Sequence, residues 1–152
     1  MSRIDKASCE CMDMEWYGVD KEGNIGVFCS AGVDNLPEFV CENEERAYEI
    51  IEWFERLKSS TSSIIYYEMP EQGRKVAEEF SDKGLFYFDS DDCTKFNVAN
   101  LKKYYTKASS PRKALKYEFL PNEIKNMLSF NFLNIDNFEN VKTVSVLHAY
   151  DI

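Results

Sequence analysis

The chain has one histidine, six glycines and no apolar run long enough to cross a bilayer, and each scarcity closes off a class of function. With His148 alone, any hydroxyl or thiol nucleophile needing an imidazole base must find it there, and no local motif pairs it with Cys29, Cys41 or Cys93. Gly23, Gly26 and Gly32 fit neither GxGxxG nor GxxxxGK[ST], so no glycine-rich phosphate loop is present. A membrane helix needs about 18 consecutive apolar residues. The N-terminal MSRIDKASCECMDM also lacks the apolar centre of a signal peptide.

Five cysteines (Cys9, Cys11, Cys29, Cys41, Cys93) are an odd number, and without an export signal they are expected as reduced thiols in a cytoplasm. Cys9-x-Cys11 has no second ligand pair for zinc. DSDD (89–92) has carboxylates at 89 and 91, as a calcium loop would. It then places Cys93 where an oxygen belongs, and lacks both the bend glycine and the closing glutamate. No metal and no cofactor is predicted.

What the chain does have is aromatic bulk and negative charge. Eleven Phe, nine Tyr and two Trp predict a core of large flat side chains. At 44% hydrophobic with no long polar tract, the body of the chain is expected to fold, as one domain over 1–152 with residues 1–12 as a flexible tail. Residues 1–100 hold 22 acids and 10 bases, whereas 101–117 (LKKYYTKASSPRKALKY) hold six bases and no acid. The acidic body argues against nucleic-acid and anionic-membrane partners. Within 101–117, tyrosines interleaved with lysines read either as an anion or nucleic-acid patch, with bases stacked on the tyrosines, or as charge that neutralises the acidic helix of the same molecule. The second reading is favoured.

Residues 14–30 predict a β-hairpin turning at Asp20-Lys21-Glu22-Gly23, with Asp first and Gly last in a type I turn. Large apolar groups on both faces place it inside a larger structure. ENEERAYEIIEWFERLK (42–58) predicts a helix from Ala47, Ile50, Ile51, Phe54 and Leu57, with Glu52 and Arg56 spaced to pair. A loop at 59–63, a strand over 63–69, a helix from Pro70 to Asp82 stopped by Gly84, and a strand at 85–88 follow. Strands are expected at 94–98, 102–108 and 141–150, a break at Ser109-Ser110-Pro111, and a short helix after Leu120-Pro121. The fold class is α+β, a mixed or antiparallel sheet opening with the hairpin and packed by two or three helices.

Two surfaces remain as candidates. Glu44, Glu45, Glu49, Glu52 and Glu55 cover the outer side of helix 42–58, read either as a solvated face or as a surface that steers a basic protein partner. The loop from Ser30 to Pro37, carrying Ser30, Gly32, Asp34 and Asn35, is the place where a pocket would form if the chain were instead a small-molecule binding module or an enzyme.

The pattern W-Y-G-V-D-K-E-G-N-I-G-V-F-C-S-A-G followed by L-P-E-F-V, with G-L-F-Y-F-D (84–89), the Tyr105 to Pro111 spacing and L-P-N-E-I (120–124), resembles a group of small, mostly uncharacterised bacterial cytoplasmic proteins. In size and acidity these resemble the immunity proteins that neutralise secreted toxins. The resemblance implies a protein-binding role toward a basic toxin domain, and no catalytic residue comes with it.

Overall fold

A computed structural model describes residues 2–30, 36–90 and 104–145. Within them lie β1 (Glu15–Val19), β2 (Ile25–Cys29), β3 (Ser63–Ile65), β4 (Phe86–Asp89), β5 (Tyr104–Pro111) and β6 (Thr143–Ser145). The helices are α1 (Lys6–Cys11), α2 (Glu38–Cys41), α3 (Glu44–Arg56), α4 (Glu71–Ser81) and α5 (Asn122–Leu128). The fold is α+β, with one mixed sheet in the order β1-β2-β4-β5-β3, and β6 also pairs with β5. β2 and β4 run parallel, and the other pairings between these named strands are antiparallel. The parallel pair brings residues sixty apart in sequence side by side, with Cys29 opposite Asp89.

The hairpin turns where the sequence places it. Gly23 N–H donates to Asp20 O, and Gly23 takes the positive φ that the last turn position favours. Asp20 is fully buried, and its carboxyl accepts from the backbone of Glu22 and Asn24, from Asn24 Nδ2 and from Phe138 N–H at 2.7 Å. One side chain therefore closes the turn and docks a segment 118 residues away.

The two sheet faces bury different material. On one, Trp16, Phe28 and Phe88 occupy a cross-strand row and stack at 4.1 and 4.7 Å between ring centroids. Phe138 meets Phe28, Phe86 and Phe88, and a Cβ on Gly26 would stand 3.0 Å from the rings of Phe138 and Phe28, so a larger residue there would have to displace them slightly. On the other face Tyr17 stacks on Phe54 of α3 at 4.3 Å. Val19, Ile25, Val27 and Leu85 share that core with residues of α3, α4 and α5.

The structure differs from several of these expectations. The thiols are not all reduced: Cys9 and Cys41 form a disulfide joining α1 to α2, because both side chains point into the aromatic core. Residues 2–12, expected as a tail, carry α1 and pack on the body of the fold: Ile4 is buried, its N–H donates to Cys41 O, and α1 is capped by Asp5. The chain does not break at Ser109-Ser110-Pro111. β5 runs through it, because Ser109 Oγ bonds Ala77 O and Ser81 Oγ, and Pro111 sits at the strand's last position opposite Ser63. The strand over 63–69 shortens to 63–65. The strand expected at 94–98 lies outside the described residues, as do the ends of those expected at 102–108 and 141–150.

Candidate functional site

Asn43 caps α3 by accepting from Arg46 N–H, and Glu44 and Glu45 stand in its first turn, where carboxylates meet the positive end of the helix. Ile50 and Phe54 face inward, which turns Glu45, Glu49, Glu52 and Glu55 to solvent, while Glu44 is half-buried. Tyr48 lies among them, 45% exposed. Glu45 accepts from the N–H and hydroxyl of Ser2. Among the described residues no cation lies in ion-pair range of Glu49, Glu52 or Glu55, and the expected Glu52–Arg56 pair does not form. Lys83 approaches the end of α3 but donates to the carbonyls of Phe54 and Glu55.

Among the described residues, no base of the 101–117 segment forms an ion pair with this helix. Lys107 is buried, with Nζ donating to Phe138 O and Glu139 O, and burial holds its pKa below the usual lysine value. Lys116 bonds Asn24 Oδ1 and Glu22 O. These side chains replace missing backbone partners in irregular segments, a use that composition does not reveal. Lys102 and Lys103 lie outside the described residues.

Of the Ser30 loop, the structure describes its first residue and 36–37. Ser30 is buried, with its hydroxyl donating to Met12 O and accepting from Met14 N–H, so it ties α1 to the hairpin. Gly32, Asp34 and Asn35 lie outside the described residues. Pro37 precedes the first turn of α2.

The sheet assembles a group that sequence spacing does not show. Glu15, Cys29, Asp89 and Thr106 are register partners across β1, β2, β4 and β5. Tyr17 donates to Glu15 Oε2 at 2.6 Å. Burial raises the Glu15 carboxyl above its ordinary value; the Tyr17 hydrogen bond opposes this shift and the nearby charge of Glu55 adds to it. Burial likewise pushes the Cys29 thiol far up, with Asp89 and Glu15 adding to the shift, and Cys29 shares a hydrogen bond with Tyr87, whose hydroxyl burial also raises. A thiol held protonated is neither a nucleophile nor a ready metal ligand. Among the described residues no group of three or more His, Cys, Asp or Glu side chains is placed to hold a metal ion.

Beside this row lies a cleft of ≈ 480 Å³ between the 67–70 segment, the start of α4, β4 and β5. Tyr67, Glu68, Met69, Tyr87, Asp89 and Thr106 are among its walls. Its size is that of small-ligand sites. Sequence reading missed it because its walls come from three separated segments. The only local sign is the pair Tyr67-Glu68, a polar ending to what otherwise reads as a buried strand.

Among the described residues no helix is long and apolar enough to cross a membrane. No family model matches the chain, and no curated protein and no solved structure matches it either.

Proposed function

We propose that this is a non-enzymatic protein-binding protein of the immunity type, which holds a basic bacterial toxin domain through the exposed face of α3. The observation that supports the reading is the acidic strip of α3: Glu45, Glu49, Glu52 and Glu55 face solvent around Tyr48, and no described cation pairs with Glu49, Glu52 or Glu55. Such a surface accelerates encounter with a positive partner, and a central tyrosine is a frequent anchor of binding energy. The net charge of −9 acts in the same direction.

The test begins with capture of partners from cells that carry the neighbouring genes. The captured partner is then titrated with the triple variant Glu45→Lys, Glu49→Lys, Glu52→Lys at low ionic strength. The expected loss is at least about tenfold in affinity, shrinking as salt is added. Unchanged affinity at low salt would remove α3 from the interface. The reading places the protein in a bacterial cytoplasm, where reductants would act on the Cys9–Cys41 bridge. Thiol labelling in intact cells reports whether the bridge persists there.

A further inference from the structure

The segment that follows α5 is pinned to the edge of β1 by one residue. Asn131 O accepts from Val19 N–H at 3.0 Å, and Asn131 Nδ2 donates to Tyr17 O at 2.8 Å. The second bond fixes the amide, because the flipped orientation would set oxygen against oxygen. Asn131 is 4% exposed, and its Oδ1 has no hydrogen-bond partner among the described residues. A buried acceptor left in that state is costly, and native folds seldom keep one.

Asn131 also lines a small cavity between α2, α3 and β1, with Trp16, Val40, Arg46, Ala47 and Ile50 among the other walls. The space open to the centre of a small molecule there is ≈ 10 Å³, the size at which one water fits. Arg46 is the charged wall. Its Nη2 donates to Phe39 O at 2.9 Å and to Glu42 Oε1 at 2.8 Å, and its guanidinium lies 4.0 Å over the Phe130 ring. The N–H groups on Nε and Nη1 remain to donate.

An occupant must donate to Oδ1 and accept from Arg46, within the room of one heavy atom. A cation would meet the guanidinium charge, and an anion would meet the lone pairs of Oδ1. Water satisfies both ends. We propose that this cavity is a binding site for one structural water, which donates to Asn131 Oδ1 and accepts from the Arg46 guanidinium. The water ties α3 to the segment that covers the β1 edge, and it holds Arg46 in place on Phe130. The site uses the inner side of α3 and stands independently of the acidic strip on the outer side.

The first test is a crystal structure of the full chain at a resolution that shows ordered waters. A single peak about 2.8 Å from Asn131 Oδ1, and within hydrogen-bond distance of Arg46, is expected. The second is oxygen-17 relaxation dispersion in solution, which counts long-lived water oxygens and ignores exchanging protein protons. Arg46→Met keeps the hydrocarbon stem, removes the N–H groups and should lower the count by one. Asn131→Leu should lower it by one as well. That variant also loses the bond to Tyr17 O, so if it fails to fold, Arg46→Met and the wild-type crystal structure decide. The α3 triple-lysine variant should keep the wild-type count, since its substitutions lie on the outer side of the helix. No peak beside Oδ1, a guanidinium nitrogen bonded directly to Oδ1, or a count unchanged by Arg46→Met would overturn the proposal. So would an ion in place of the water, shown by anomalous scattering after a bromide or rubidium soak.

Discussion

Two adjacent rows of the same three strands carry opposite chemistry. Trp16, Phe28 and Phe88 stack ring on ring on one face, and their immediate neighbours Glu15, Cys29 and Asp89 line up on the other. The alternation of a strand sends neighbours to opposite faces, so a single register sets both rows. The aromatic row is covered by Phe138, Tyr105 and the disulfide-joined α1 and α2. The acidic row ends beside a cleft. Both faces carry core, but the aromatic row lies within it, whereas the acidic row lies at its margin and holds ionisable groups partly out of water beside the cleft.

The comparison predicts that changes on the aromatic side cost most. Phe28→Ala, which removes the middle ring, should lower unfolding free energy by about 4 kcal/mol in urea titration. A loss under 1 kcal/mol would mean that the stack is not the core (the full removal of a buried ring costs roughly 3–5). Cys41→Ser opens a bridge between residues 32 apart, and loop-closure entropy puts that loss at roughly 3.5 kcal/mol. The same drop should follow when the wild type is reduced, and no response to reductant would refute the bridge. Asp20→Ala strands buried N–H groups of Asn24 and Phe138 at a cost of about 3 kcal/mol.

The acidic row should respond least, and in the opposite direction. Glu15 is raised above its ordinary value of 4.5 by burial, so the folded state binds its proton more tightly than the unfolded state. Stability is consequently lost as pH rises from the ordinary value through the raised one. Glu15→Gln keeps an acceptor for Tyr17 and removes that loss. The variant should be the more stable protein at neutral pH, with the gap closing as pH falls to about 4. A gap that stays constant with pH would show that Glu15 titrates normally.

Local chemistry made part of this legible in advance. The Asp20–Gly23 turn follows from two residues, and α3 from its spacing of Ile50 and Phe54, because turns and amphipathic helices are decided within a few residues. The β2–β4 pairing, the disulfide and the cleft depend on segments far apart in sequence, and no short window contains them. Ser109-Ser110-Pro111 misled for a related reason. Its polar residues read as a break, but α4 supplies partners for Ser109 that only the folded chain brings near. The acidic strip of α3 was readable, whereas Ser30 read as a loop residue and is a buried tie.

The four bonds to the Asp20 carboxyl also imply an order of events. Those to Glu22 and Asn24 span two and four residues, whereas the one to Phe138 spans 118 and must wait for a large loop to close. The turn therefore supplies a ready-made acceptor on which the C-terminal segment locks late. A late lock lies beyond the folding barrier, so its removal shows chiefly as faster unfolding. In Asp20→Ala, stopped-flow kinetics should find the unfolding rate raised several times more than the folding rate is lowered. Asp20 would then set how long the native state lasts more than how quickly it is reached.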